Sequence, residues 1–135
     1  MTRVSAYGLV VDNENILLCR ISDQLPRLKG QWTLPGGGLE FRESPIDAMI
    51  REVKEETGLL VESAGLQEVN SNEVDVNDTQ YHGIRIIYMT NLLGGTLTNE
   101  IDGTTDLCQW WHKDELPTIP LVDLSQLGIS LLWSN

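Results

Sequence analysis

The chain has 135 residues, of which 41% are hydrophobic, enough for one domain with a buried core and too many for a disordered chain. Its formal net charge of −11 repels nucleic-acid backbones and anionic membranes, so neither is expected as a partner. The same charge repels free phosphates, so a phosphate-bearing substrate would need bound metal or a few well-placed Arg and Lys side chains.

No repeat, low-complexity tract or linker divides the chain, which reads as one α+β domain over residues 1–135. Met1-Thr2-Arg3 leads straight into a strand-like segment without a targeting signal, and no apolar run spans a bilayer; the cytoplasm is the expected location. Residues 4–11 are apolar and β-rich, Asp12-Asn13-Glu14-Asn15 reads as a hairpin turn, and residues 16–21 form a second apolar run. Residues 23–30 are polar, contain Pro26 and predict a loop. Residues 31–34 are a short strand candidate stopped by Pro35 and three glycines. After a helix over residues 45–57 come strand candidates at 65–76, 83–92 and 107–112, with Gly94-Gly95 marking a turn. The apolar spread of residues 121–133 suits a second helix capped by Asp123 or Ser125. Cys19 and Cys108 lack metal-ligand spacing and read as buried thiols, with no pointer to an oxidising compartment.

The helix over residues 45–57 has well-marked ends: Ser44 as N-cap, Pro45 at the first helical position, Asp47 three residues after the cap, and Gly58 as a left-handed stop. At about 100° per residue, Ile46, Met49, Ile50 and Val53 share an apolar face that would dock on a sheet. Glu52, Glu55 and Glu56 fall within an arc of about 100° beside it. Carboxylates this crowded repel one another unless cations neutralise them, and a hard divalent ion such as Mg²⁺ suits oxygen ligands. A solvated acidic face is the other reading of the helix taken alone. Pro35-Gly36-Gly37-Gly38, just upstream, lets backbone approach a ligand or metal without interference from Cβ atoms.

Taken together, residues 37–59 resemble the Nudix box. Glu43 follows Gly37 after five residues; Arg51 and Glu52 follow after seven more; then come Val53, Glu55, Glu56, Gly58 and Leu59. Such a match arises by chance on the order of once per 10⁹ start positions, so the pattern carries far more than the acidic helix does. Residues 31–37 resemble the segment leading into the box, and residues 110–117 a strand and helical turn common near the family's C-terminus.

The resemblance implies an α/β/α sandwich around a mixed central β-sheet, and a Mg²⁺-dependent pyrophosphohydrolase with Mn²⁺ as an alternative ion. Such an enzyme cleaves a nucleoside diphosphate linked to another group. Glu52, Glu55 and Glu56 match its metal-binding and catalytic positions, with Glu52 as ligand or base. The carbonyl of Gly36 matches a backbone metal contact. Arg51 and Glu43 resemble an ion pair that orients the catalytic helix, and Gly37 and Gly58 the structural glycines of the box. A fourth carboxylate often assists in this family; Asp106 is the main candidate, ahead of Glu100 and Asp102. Many relatives are homodimers, so a homodimer is an expectation.

Substrate-binding residues are less marked. Arg3, Arg20, Arg27, Lys29 and Arg85 either meet substrate phosphates or are solvated. Trp110 and Trp111 alternate faces on a strand, one in the core and the other at the surface or stacked on a base, with Trp32 similar. His82 and His112 read as ordinary surface or strand residues. ADP-ribose enzymes of the family often carry a proline some fifteen residues past the box, where this chain has Glu73 and Val74. Dinucleoside polyphosphate enzymes often place a tyrosine in that region, and Tyr81 lies too far along. The compact chain resembles MutT-type enzymes that convert a (deoxy)nucleoside triphosphate, sometimes an oxidised one, to monophosphate and pyrophosphate. Alternatives are a nucleotide-sugar or ADP-ribose diphosphatase, a non-catalytic nucleotide sensor, and an enzyme acting on RNA 5′ ends, which the acidic balance disfavours.

Overall fold

The computed structural model describes residues 1–133; residues 134 and 135, at the end of the one-domain reading, lie outside the described residues. In chain order the elements are β1 (Thr2–Leu9), β2 (Val11–Asp12), β3 (Asn15–Ile21), β4 (Trp32–Thr33), β5 (Gly36–Gly38), α1 (Pro45–Thr57), β6 (Leu59–Val76), β7 (Thr79–Gly95), β8 (Thr105–His112), a 3₁₀ segment (Lys113–Thr118) and α2 (Asp123–Leu132). One sheet has the order β5-β1-β7-β6, with β1 and β7 parallel and the other pairs antiparallel. In the second sheet β3 pairs antiparallel with β2, β4 and β8.

The mixed sheet alternates its residues between two helices, as the period of two in a strand demands. Ala6 of β1 joins Met49, Ala48 and Val53 of α1 in one buried cluster. Leu9 of β1 and Ile87 of β7 join Leu124 of α2, Leu34 and Trp32 in another. Helix, sheet and helix therefore stack as three layers, and β3 serves both clusters, with Leu17 and Cys19 on one side and Ile16 and Leu18 on the other. Ile46, in the first turn of α1, stays 41% exposed, so the docking stripe begins one turn later than the helical wheel predicts.

Several local expectations are corrected. Gly36–Gly38 do not simply stop a strand: they pair with Tyr7, Ala6 and Ser5 as β5. Gly94 and Gly95 are not a turn, because they pair with Leu60 and Leu59 at the end of β7. The turn is instead Asn77-Asp78, both left-handed at φ 49° and 64°, a conformation these side chains tolerate and two-residue hairpins require. Neither Asp123 nor Ser125 caps α2: Val122 holds the cap position, Asp123 is the first helical residue, and the Ser125 hydroxyl donates to the Trp32 carbonyl at 2.9 Å. Cys19 and Cys108 are buried free thiols facing each other across β3 and β8, their sulfurs 2.7 Å apart.

The ends of α1 are chemically defined. The Asp47 N–H donates to Ser44 Oγ at 3.1 Å, and Gly58, at φ 77°, donates its N–H to the Lys54 carbonyl. Ser44→Ala should therefore lower unfolding stability by about 1 kcal/mol, read as a shift in the urea midpoint at constant slope. An unshifted midpoint would show that the Ser44 cap contributes nothing to the helix.

Candidate active site

Helix α1 delivers its three glutamates to three environments. Glu56 is buried, only 3% exposed, at the inner end. Its carboxylate accepts the Gly36 N–H at 2.8 Å and the Thr105 hydroxyl at 3.1 Å, tying α1 to β5 and β8. Glu52, one turn back, is half-buried against β5: a Cβ on Gly37 would lie 2.8 Å from its carboxyl carbon and would push the carboxylate out of its present place. Glu55 is exposed.

Arg51 binds this region together. Its guanidinium donates to both oxygens of Glu43, each at 2.8 Å, to Glu52 at 2.9 Å, to Glu55 at 3.2 Å and to the Gly38 carbonyl at 3.2 Å. This planar fork is a geometry a lysine could not supply. The pairing, with the Glu40 N–H as a second donor, lowers the Glu43 pKa to about 2. Burial raises the pKa of Glu52, and like charge on Glu55 and Glu100 adds to this against the opposing pull of Arg51. Burial likewise raises Glu56, to about 8, reinforced by Glu52 and Glu100 and opposed by the Gly36 N–H and Thr105.

Asp106 does not join the set. It is exposed, pairs with Arg20 at 2.9 Å and follows Thr105 on β8, so strand alternation turns it away from the face where Thr105 meets Glu56. Glu100, ranked lower from sequence, is half-buried and electrostatically coupled to all three glutamates. Its approach comes from an irregular loop, and periodicity gives no signal there. Thr105 is a further site residue that sequence reasoning missed.

Glu56, Gly36 and Gly37 line a cleft of about 340 Å³ on the face of the mixed sheet opposite α1. Arg3, Ser5 and Tyr7 of β1 and Asn72, Gly83 and Arg85 of β6 and β7 line it too. Leu25, Leu28 and Val122 are among its apolar linings. Arg85 is committed to protein partners: it donates to Asn70 at 2.9 Å and, through both terminal nitrogens, to Asp123 at 3.2 Å. Arg20 is paired with Asp106, while Arg27 and Lys29 are exposed on the loop. Trp110 and Trp111 pack against the two different core clusters, and Trp32 meets Trp111 edge-on at 5.1 Å. His82 is exposed; His112 caps the 3₁₀ segment and contacts Glu14.

A family model described as NUDIX domain matches residues 1–127. This chain belongs to the Nudix family. It is similar to the ADP-ribose pyrophosphatase of Methanocaldococcus jannaschii, with 34% identity over 132 residues covering 98% of this chain and 75% of that protein. It is also similar to the 8-oxo-dGDP phosphatase of Mus musculus, with 32% identity over 108 residues. That match covers 78% of this chain, which spans only 31% of the mouse protein's length. Among solved structures, a MutT NUDIX hydrolase from Burkholderia pseudomallei superimposes with a TM-score of 0.84 at 26% identity, covering 98% of this chain and 99% of that one. The Nudix resemblance of residues 37–59, the α/β/α fold and the hydrolase class are borne out. No helix among the described residues is long and apolar enough to cross a membrane.

Nudix proteins as a family use divalent metal ions and nucleotide substrates. Among the described residues no three Asp, Glu, His or Cys groups already converge as a metal cage. The donor chemistry nevertheless fits such an ion. The helix offers only hard oxygen ligands, Glu52 lies in a cradle that a Cβ on Gly37 would fill, and the carboxylate charge at Glu56 is incompletely compensated by one N–H and one hydroxyl.

That incomplete compensation has a thermodynamic sign. The folded-state pKa of Glu56 lies above its ordinary value of 4.5, so its contribution to stability is fully present below about pH 4.5 and is lost as pH rises through about 8. Glu43 acts in the opposite sense and in a lower window, its contribution being lost as pH falls from about 4.5 through about 2. In chelator-treated protein, Glu56→Gln should flatten the fall in Tm between pH 4.5 and 8 and raise Tm at the upper end. A variant whose Tm tracks the parent across that range would show that Glu56 is not strained by burial.

Proposed function

We propose that the chain works as one Nudix domain that hydrolyses a nucleoside or deoxynucleoside triphosphate to the monophosphate and pyrophosphate. The observation that carries this reading is the placement of Glu56: buried on the catalytic helix, one turn from Glu52, it lines a cleft of nucleotide-compatible size. Further support comes from relatives named for the activity, among them the nucleoside triphosphatase NudI of Enterobacter, 27% identical over 131 residues.

Water attacks one phosphorus of the anhydride, the bond from that phosphorus to the bridging oxygen breaks, and a carboxylate of the site takes the water's proton. Glu52, Glu55, Glu56 and the Gly36 carbonyl would hold Mg²⁺, or Mn²⁺ in its place, which would offset phosphate charge and acidify a bound water. Glu100, half-buried where Asp106 is exposed and paired with Arg20, is the candidate for the fourth carboxylate in place of Asp106. Arg51 is a positioning residue that fixes Glu52 and the helix against Glu43 and β5. Arg3 and Arg85 are the two arginines that line the cleft, and Arg85 is already occupied by Asn70 and Asp123. ADP-ribose is the second reading, favoured by the archaeal relative's name and by a match that covers 98% of this chain and 75% of that protein. The absence of proline between Pro45 and Pro117 weighs against it.

The test is a panel of nucleoside triphosphates, ADP-ribose and nucleotide sugars incubated with Mg²⁺ or Mn²⁺, with products separated by anion exchange. Monophosphate and pyrophosphate should form from a triphosphate. Glu56→Gln should lower kcat about a hundredfold or more with an unchanged circular-dichroism spectrum. Full turnover by that variant, or orthophosphate as the released product, would overturn the reading.

A further inference from the structure

A cleft built for a nucleotide must do more than hold phosphates, and its floor carries an unexplained polar group. The carboxamide oxygen of Asn72 is buried, and no described residue hydrogen-bonds it. Buried polar side-chain atoms nearly always find a partner, and an orphan on a residue that lines a cleft calls for one from outside the chain once the amide turns toward it. The strand register shows how the group gets there. Asn72 pairs with Gly83 across β6 and β7, and Gly83 pairs with Arg3 across β7 and β1, so the three form one row across the sheet. The amide lies over Gly83, where any Cβ would overlap Asn72 Oδ1.

We propose that Asn72 is a specificity-determining residue whose amide, laid across Gly83, hydrogen-bonds the edge of the substrate's nucleobase. This rests on the nucleotide reading above. An amide oxygen accepts hydrogen bonds only, so it repels phosphate oxygens and selects an N–H or O–H donor. Distance along the sheet separates it from the chemistry. Gly36, which holds Glu56, pairs with Tyr7, whereas the row of Asn72 crosses β1 at Arg3. Four residues of strand span about 13 Å, the reach from a nucleotide's outer phosphates to its base. Leu25, Leu28 and Val122 line the same cleft, so it offers a flat ring apolar surface alongside its polar groups.

The test is steady-state kinetics of the full chain with Mg²⁺ on the four deoxynucleoside triphosphates and their ribose counterparts. Asn72→Leu keeps the branched outline and removes the amide; Gly83→Ala keeps the amide and displaces it. Both should raise KM for the preferred base about tenfold, with the loss falling on KM rather than kcat, and both should shrink the spread of kcat/KM among bases. Asn72→Leu should not lower Tm, because it removes an unsatisfied group. A parent enzyme that discriminates among bases while both variants keep its KM values and base ranking would overturn the assignment to Asn72. Losses confined to the ribose series would move the contact to the 2′-hydroxyl and overturn the base assignment. A parent enzyme inert toward every nucleotide would remove the nucleotide reading itself, and this assignment with it.

Discussion

The fork of Arg51 against Glu43 is the interaction on which the site's geometry depends. Helix α1 is held to the sheet on one side by Met49 and Val53, and dispersion alone fixes neither its rotation nor its slide. The Arg51 guanidinium restricts both: it donates to the Gly38 carbonyl of β5 at 3.2 Å and holds the lead-in residue Glu43 by two bonds of 2.8 Å. The same guanidinium spans Glu52 and Glu55, so a side chain that anchors the helix also offsets the repulsion between two of its acids. Glu43 is strongly acidified and Arg51 made harder to deprotonate, so the anchor stays charged throughout the neutral range.

Glu56 takes no hydrogen bond from that guanidinium, and its own two come from different elements, β5 and β8. The C-terminal turn of α1 is therefore located by a carboxylate in a place where hydrophobic packing would be more stable. Cys108 adds a sulfur contact to the Glu56 carbonyl at 3.2 Å, which ties the second sheet to the same residue. Burying Glu56 at the cleft costs folding stability as pH rises, a trade that functional sites commonly make.

Much of this is legible in the amino-acid sequence. The bounds of α1 follow from Ser44, Pro45 and Gly58, because caps act locally and leave local signals. The acidic cluster follows from helical periodicity for the same reason. What fails depends on partners distant in the chain. Gly94-Gly95 carries the residues of a turn, yet pairing with Leu59 and Leu60 extends β7 through it. Asp106 lies close to the right place in sequence, but alternation on β8 gives the inward position to Thr105. Asn72 carries no local signal at all, since its meaning depends on a glycine eleven positions later that only the register of β6 and β7 sets beside it.

The parallel pairing of β1 with β7 also bears on how the molecule is made. Thr2 finds His82, and Leu9 finds Met89, so the first strand synthesised cannot take its place until well over half the chain exists. Closing so long a loop is entropically slow compared with zipping the β6–β7 hairpin or winding α1. The hairpin thus serves as the template, and the N-terminal strand is threaded onto its edge afterwards. Because Arg3, Ser5 and Tyr7 floor the cleft, a nascent chain can own its acidic helix and its hairpin well before it owns a place for a ligand.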